Sequence, residues 1–541
     1  MTVVGLALGA ALTSIRRRPA ASPPVIAPER LVLVRPDREE PTGPITAAVD
    51  APVAEAPLAP TRPPDAASHP EPPPPAPGRK PRAGRVLGAA IVVVLVIASV
   101  VAAVWVGNDA PAPDAPAADD SSGPEAESWA PEVAELAAFV EAERGLAFDG
   151  AIPIEFLPSA DYDAEAAALA EGDDPDVALL RALGLLEGAI DGVSAGTGVI
   201  DSLAFGFYDP GRRRIVIRGD DVDVTTGATL VHELTHALQD QHFPGLFAGG
   251  DSAGQRFGSR SLVEGDALRT EYAFIDTLDR EEQDEYEAAL DERADDVGLP
   301  ETAAALLGAP HSLGDPFVYF LQANGEDVLT DAFANPPTSA EQVLDPFRYL
   351  DADPPDLPDP PAAPAGAEVL ARGDLGAVAW LAILGERIDP WQALDAVDGW
   401  RGDAYTLSRA ARGLCADVLL TGDTATDTTE LQSAVAGWAA AVPAVTPAVT
   451  RVGDTISMTV CDPGAGADVG LTGQGARALI LPAARVFTAA DELALGRSLD
   501  AAQCHADDLL RRYTLDELEA FDPPADVDDR IAAADAACAA S

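Results

Sequence analysis

Residues 230–243 read LVHELTHALQDQHF and hold three of the chain's six histidines. His232 and His236 stand four apart, so on a helix they lie about 40° apart on one face, one turn above the other, and both imidazoles can reach a single ion. Glu233 sits beside them, placed to take a proton from a water held by that ion. The flanking Leu230, Val231, Leu234, Thr235, Ala237 and Leu238 are uncharged, which fits a buried helix and leaves two chance surface histidines a poor explanation. Thr225 or Thr226 is the expected N-cap, and Pro244 ends the helix. H-E-x-x-H in this setting predicts zinc, with Glu233 as general base.

The third ligand decides the kind of site. His242 lies six residues after His236, the offset used by metzincins in H-E-x-x-H-x-x-G-x-x-H. On an unbroken helix six residues is about 240° of rotation, which turns that side chain away, and the helix-breaking glycine position is Gln239 here. A metzincin also needs a Met-turn, and the only methionine after Met1 is the distant Met458. His242 is then expected to cap the C-terminal end of its helix. Glu264, in SRSLVEGDALRTEYAF, is 28 residues after His236, the gluzincin arrangement, in an apolar setting that would make an unpaired carboxylate costly. Glu264 is the expected ligand, with His242, Glu271 and Asp266 as alternatives. Glu271 falls on the same face seven residues on and is equally expected to hydrogen-bond a ligand from behind, and Asp266 to orient a histidine. Gluzincins often carry Asp four residues after that Glu, where this chain has Leu268. His311, Tyr272 and Tyr208 are candidates for stabilising an oxyanion, each with a purely structural role as the alternative.

Upstream, LAFGFYDPGRRRIVIRG reads as two strands about the turn Asp209–Arg212, and RIVIRG is the expected edge strand onto which an extended peptide would add. APEVAELAAFVEAERGL predicts a helix, IPIEFL a strand and DVALLRALGLL a buried helix. Further helices are expected over 261–333. Residues 351–366, DADPPDLPDPPAAPAG, read as a linker or surface loop. Beyond them helices (LGAVAWLAIL, ELQSAVAGWAAAV) mix with short strands (LCADVLL, TISMTVC).

Val86–Val106 is 21 residues without a charge, enough to cross a bilayer. Arg79, Lys80, Arg82 and Arg85 precede it and only acidic residues follow closely, which predicts a cytoplasmic N-terminus and an extracytoplasmic remainder. The organisation expected is a Pro/Ala-rich disordered tail over 1–85, a transmembrane helix over 86–106 and an acidic tether over 107–128. A metallopeptidase domain over 129–350, the 351–366 linker and a C-terminal α+β region over 367–541 follow. Cys415, Cys461, Cys504 and Cys538 all lie on the outer side, and pairing neighbours predicts Cys415–Cys461 and Cys504–Cys538. His505 reads as a neighbour of that second disulfide, and His69 as incidental to the tail. With 89 acidic against 35 basic residues, and Lys80 the single lysine, the net charge of −54 argues against nucleic acid as a partner. It suits high salt or a GC-rich coding sequence.

Together HELTHALQDQHF, LVEGDA, PPTSAEQVLDPFRYL and GWRGDAY resemble a set of uncharacterised bacterial membrane-tethered or secreted proteins with a zinc-peptidase domain, over most of the chain from about residue 130. The resemblance implies a zincin-like α+β fold, mainly helical with a small sheet. It also implies a membrane-anchored zinc metallopeptidase acting on peptides or proteins. The competing expectation is a non-catalytic envelope or scaffold protein with a structural or vestigial zinc site.

Overall fold

A computed structural model describes residues 128–539, apart from 171–176, 189–204, 221, 248–249, 295–298, 412, 444–445 and 521–523. The chain divides into two units, Arg17–Arg82 and the rest. The expected tail over 1–85, the expected transmembrane helix over 86–106 and the expected tether over 107–128, save Ser128, lie outside the described residues. Among the described residues no helix is long and apolar enough to cross a membrane.

The described chain is α+β and mainly helical, with a three-stranded and a five-stranded sheet. The elements that build the N-terminal half are α1 (Pro131–Arg144), β1 (Ile154–Leu157), β2 (Gly206–Asp209), β3 (Arg214–Arg218), α2 (Val224–His242), α3 (Ala253–Ile275), α4 (Arg280–Ala294) and α5 (Glu301–Asn324). β2 and β3 form the expected hairpin, closed by Asp209 Oδ1, which accepts the Arg212 backbone N–H at 3.0 Å. β1 pairs parallel with the other side of β3, so the sheet order is β1-β3-β2. This corrects the expectation for RIVIRG. Both edges of β3 are occupied and its centre is buried, whereas β2 is an outer strand.

α2 begins at Asp223 rather than at a threonine: the Asp223 side chain accepts the Thr226 N–H at 2.8 Å. A carboxylate there also complements the helix dipole. α2 runs 19 residues without a break, and nearly every residue from Thr225 to Asp240 is buried. Its Leu230, Val231, Leu234 and Leu238 pack with Val133, Ala137 and Val140 of α1 and with Ile215 and Ile217 of β3.

α3 and α5 cross where each carries a glycine. A Cβ on Gly265 would lie 2.2 Å from the Gly314 carbonyl oxygen, and one on Gly314 would lie 2.2 Å from that of Ser261. Only hydrogen at both positions allows the two backbones to touch. This contact sets Glu264 opposite His311.

The second core runs from α5 into the C-terminal half, joining Phe317 and Phe320 to Trp380, Trp438, Met458 and Ala489. It is continuous across 351–366, where the chain has neither helix nor strand. The five-stranded sheet comprises β4 (Glu368–Gly373), β5 (Trp400–Ala410), β6 (Gly413–Gly422), β7 (Ala448–Val452) and β8 (Thr455–Cys461), all neighbours antiparallel in the order β4-β5-β6-β8-β7. Two disulfides form with the expected pairing. Cys415–Cys461 links facing positions of β6 and β8, and Cys504–Cys538 ties the helix Leu499–Leu510 to the C-cap of the helix Val527–Ala537.

Candidate metal centre

Three helices converge on one buried point. α2 supplies His232 and His236, α3 supplies Glu264, and α5 brings His311 alongside. The Nε2 atoms of His232 and His236 are 3.1 Å apart. Glu264 Oε2 lies 3.4 Å from the first and 3.2 Å from the second. Ligands on a tetrahedral zinc, bonded at about 2.0–2.1 Å, are separated by about 3.3–3.4 Å, so these three atoms are spaced as three corners of one coordination shell.

The outer nitrogens explain why the inner ones face inward. His232 Nδ1–H donates to Glu271 Oε2 at 3.0 Å, and Glu271 Oε1 accepts from the Tyr286 hydroxyl of α4 at 2.7 Å. His236 Nδ1 lies 3.0 Å from Gln239 Oε1, while Gln239 Nε2 donates to the Val263 carbonyl at 3.1 Å and to Asp266 Oδ2 at 2.8 Å. Both of the latter partners are acceptors, so the amide's NH2 must face them and its oxygen must accept from His236 Nδ1–H. Each ring therefore turns the lone pair of its Nε2 inward, toward the other ring and toward the Glu264 oxygen. With both rings neutral, two imidazole nitrogens and a carboxylate oxygen converge at such distances, a donor set that could hold a metal ion.

His311 adds a fourth group. Its Nε2 is 2.9 Å from the same Glu264 oxygen, its ring is parallel to that of His232 at 6.0 Å, and one atom from each of His232, Glu264 and His311 lies within 4.8 Å of the others. The set with His236 is the tighter one. His311 stands where it can donate to that oxygen or approach an ion placed among them.

Glu233 is 5 % exposed, and burial raises its pKa. The Tyr208 backbone N–H lies near enough to its carboxylate to favour the charged form. The Arg218 backbone N–H donates to the Phe205 carbonyl, so alternation along β2 turns the backbone N–H and C=O groups of Phe207 and Asp209 toward β3, and those of Gly206 and Tyr208 away from it. The outer edge of β2 thus borders Glu233. Burial works against charge on His232 and His236. On His232 the hydrogen bonds to Glu264 and Glu271, and on His236 the Glu264 carboxylate, outweigh it and raise both pKa values. Burial likewise opposes ionisation of Glu264, but His311, His236 and His232 together hold it well below the usual carboxylate range. His311 itself is lowered, by burial.

The remaining sequence candidates lie elsewhere. His242 is the last residue of the continuous α2 and donates from Nε2 to the Ala147 carbonyl at 2.7 Å, so it neither approaches the centre nor caps its own helix. The Tyr208 hydroxyl donates to Asp240 at 2.8 Å and is committed there. Tyr272 is half-buried and near enough to Tyr286 to influence its ionisation. Asp266 reaches His236 only through Gln239. His505 is fully buried between Glu492 and Asp535 in the C-terminal half. Sequence reasoning missed Tyr286, Arg144 and the role of Gln239, as well as Phe247, whose ring lies 5.8 Å from that of His236. Gln239 carries a readable signal, since it follows His236 by three residues and shares its face. Tyr286 and Arg144 carry none.

No family model, curated protein or solved structure matches the chain.

Proposed function

We propose that the chain is a zinc-dependent metallopeptidase whose ion is held by His232, His236 and Glu264. The observation that carries this reading is the set of three inward-facing ligand atoms 3.1–3.4 Å apart, with Glu233 adjoining them on α2. Bound zinc would supply a Lewis acid for a peptide carbonyl and would lower the pKa of a water molecule. Glu233 would take the proton of the attacking water and deliver it to the leaving amine. Its closeness to the Tyr208 N–H would place that carboxylate beside the outer edge of β2, where an extended peptide can run alongside. Glu271, and Gln239 with Asp266, would keep the two imidazoles oriented through the cycle.

We further propose that the metal-binding half acts outside the cytoplasm on a single-pass anchor at 86–106. Two features support this: the uncharged run with its basic N-terminal flank, and two disulfides, which persist in oxidising compartments. A second reading, a non-catalytic envelope protein with a structural zinc, draws on one observation. His311 stands 2.9 Å from Glu264 and could close the fourth coordination position.

Glu233→Gln separates the two. The variant should retain one ion per chain and lose hydrolysis of a mixed peptide library by about 10²–10⁴-fold, the usual worth of a positioned general base. A wild-type chain that holds its ion and cleaves no peptide in that library would favour the structural reading.

A further inference from the structure

The two histidines of the centre are held differently. His232 leans on a carboxylate, Glu271, whereas His236 leans on the neutral amide of Gln239. That amide has two orientations of nearly equal shape, and only one presents oxygen to His236. Asp266 Oδ2 helps decide between them by accepting Gln239 Nε2–H at 2.8 Å, and it also accepts Arg144 Nε–H at 2.9 Å. Asp266 is 1 % exposed, so Arg144 is the cation that makes a carboxylate at that depth tolerable.

Arg144 is the last residue of α1, and its guanidinium lies 5.8 Å from the centre of the Phe333 ring. The loop that follows is sewn to the end of α2. His242 donates to the Ala147 carbonyl at 2.7 Å, Gln241 Oε1 accepts the Asp149 N–H at 2.8 Å, and Gln241 Nε2 donates to the Gly150 carbonyl at 3.1 Å. The seating of α1 therefore bears on a side chain that touches the metal centre through two intermediaries.

We infer that Gln239, Asp266 and Arg144 are positioning residues for His236. They lock its imidazole in the Nδ1–H form and make the ion's affinity depend on how α1 is docked. Loss of Arg144 or Asp266 releases the Gln239 amide to flip. The flipped amide offers NH2 to His236 Nδ1, the ring proton moves to Nε2, and the lone pair needed by an ion disappears. The consequence for affinity rests on the metal reading above, whereas the tautomer itself does not.

Two-bond proton–nitrogen correlation spectra of the full chain, labelled with 15N-histidine, treated with chelator and held at alkaline pH, report the tautomer of each imidazole directly. Wild type should show His236 as Nδ1–H. Arg144→Gln, Asp266→Asn and Gln239→Met should shift it toward Nε2–H and leave His232 unchanged, and Arg144→Lys should restore part of the wild-type signal. Glu141→Gln, on the same helix and holding only the Phe148 N–H, should change nothing. In zinc competition against a chelator the first three variants should bind about 10–100-fold more weakly. A His236 that stays Nδ1–H in all three variants overturns the inference, as does an equal disturbance of His232, which would mean general loosening. A wild-type chain that takes up no zinc defeats the metallopeptidase reading, and the tautomer comparison still decides this one.

Discussion

Gly265→Ala tests the contact on which the whole centre depends. Inside an exposed helix, replacing Gly by Ala stabilises by about 1 kcal/mol, because the backbone loses less entropy on folding. Here the added Cβ would lie 2.2 Å from the Gly314 carbonyl oxygen and 2.9 Å from the Asp315 nitrogen, both backbone atoms with no rotamer to escape into. A tolerable contact needs the two helices to part by about 1 Å, and overpacking of that kind costs about 1–3 kcal/mol. Taking the upper end, because backbone must move, and subtracting the propensity gain leaves a net loss of about 2 kcal/mol. The same parting would lengthen the 2.9 Å approach of His311 to Glu264 and disturb the ligand beside it. Gly227→Ala is the matched control: its Cβ would meet only Phe274, at 3.7 Å, an ordinary contact, so that variant should be neutral or slightly more stable. Urea unfolding of the full chain, with zinc competition in parallel, reads both effects. A Gly265→Ala variant as stable as Gly227→Ala would refute the backbone contact between α3 and α5, and with it the placement of Glu264 opposite His311.

Tyr286→Phe strips Glu271 of its hydroxyl donor, so His232 should be less firmly held and zinc should bind about 10-fold more weakly by chelator competition, with little change in unfolding midpoint. An unaltered affinity would show that Glu271 needs no second partner. Burial pushes Glu341 up from 4.5 to about 9, against the lowering effect of Arg348. Because the folded-state value is the higher one, the folded chain binds more protons, and this residue's contribution to stability is lost as pH rises from about 4.5 toward about 9. Glu341→Gln should therefore melt higher than wild type at pH 9 and show a flatter melting profile across that window. A variant with the same pH slope as wild type would remove Glu341 from the account.

Much of the local structure was legible because it is written in short-range pattern. The spacing of His232 and His236 and the hairpin about Asp209–Arg212 each involve residues close in sequence, and each is matched by an element of the fold. The disulfides join residues 46 and 34 apart, and were legible because each cysteine pairs with its neighbour in chain order. Glu264 could be nominated because an apolar helix face makes a bare carboxylate expensive, and the fold sets it 3.2–3.4 Å from the two imidazoles. What escaped was long-range. The pairing of β1 with β3 leaves no trace inside RIVIRG, and it is what hands the outer edge to β2. Gln239 was legible as the residue that keeps α2 unbroken, but its hold on His236 depends on Val263 and Asp266 of another helix. His311 follows Pro310 and precedes Pro316, yet α5 runs through both, and only the Gly265–Gly314 contact reveals what His311 faces. The N-cap was misplaced for a smaller reason, since Asp223 and Thr225 are both good caps and the local sequence does not rank them.

Metal content of the purified full chain by inductively coupled plasma mass spectrometry, for wild type, Glu264→Ala and His242→Ala, bears most directly on the proposed centre. One zinc per chain in wild type, lost in Glu264→Ala and kept in His242→Ala, is the result expected from three ligand atoms converging where α2 meets α3. A folded wild-type chain without stoichiometric metal, or one that loses its ion with His242→Ala and keeps it with Glu264→Ala, would contradict it.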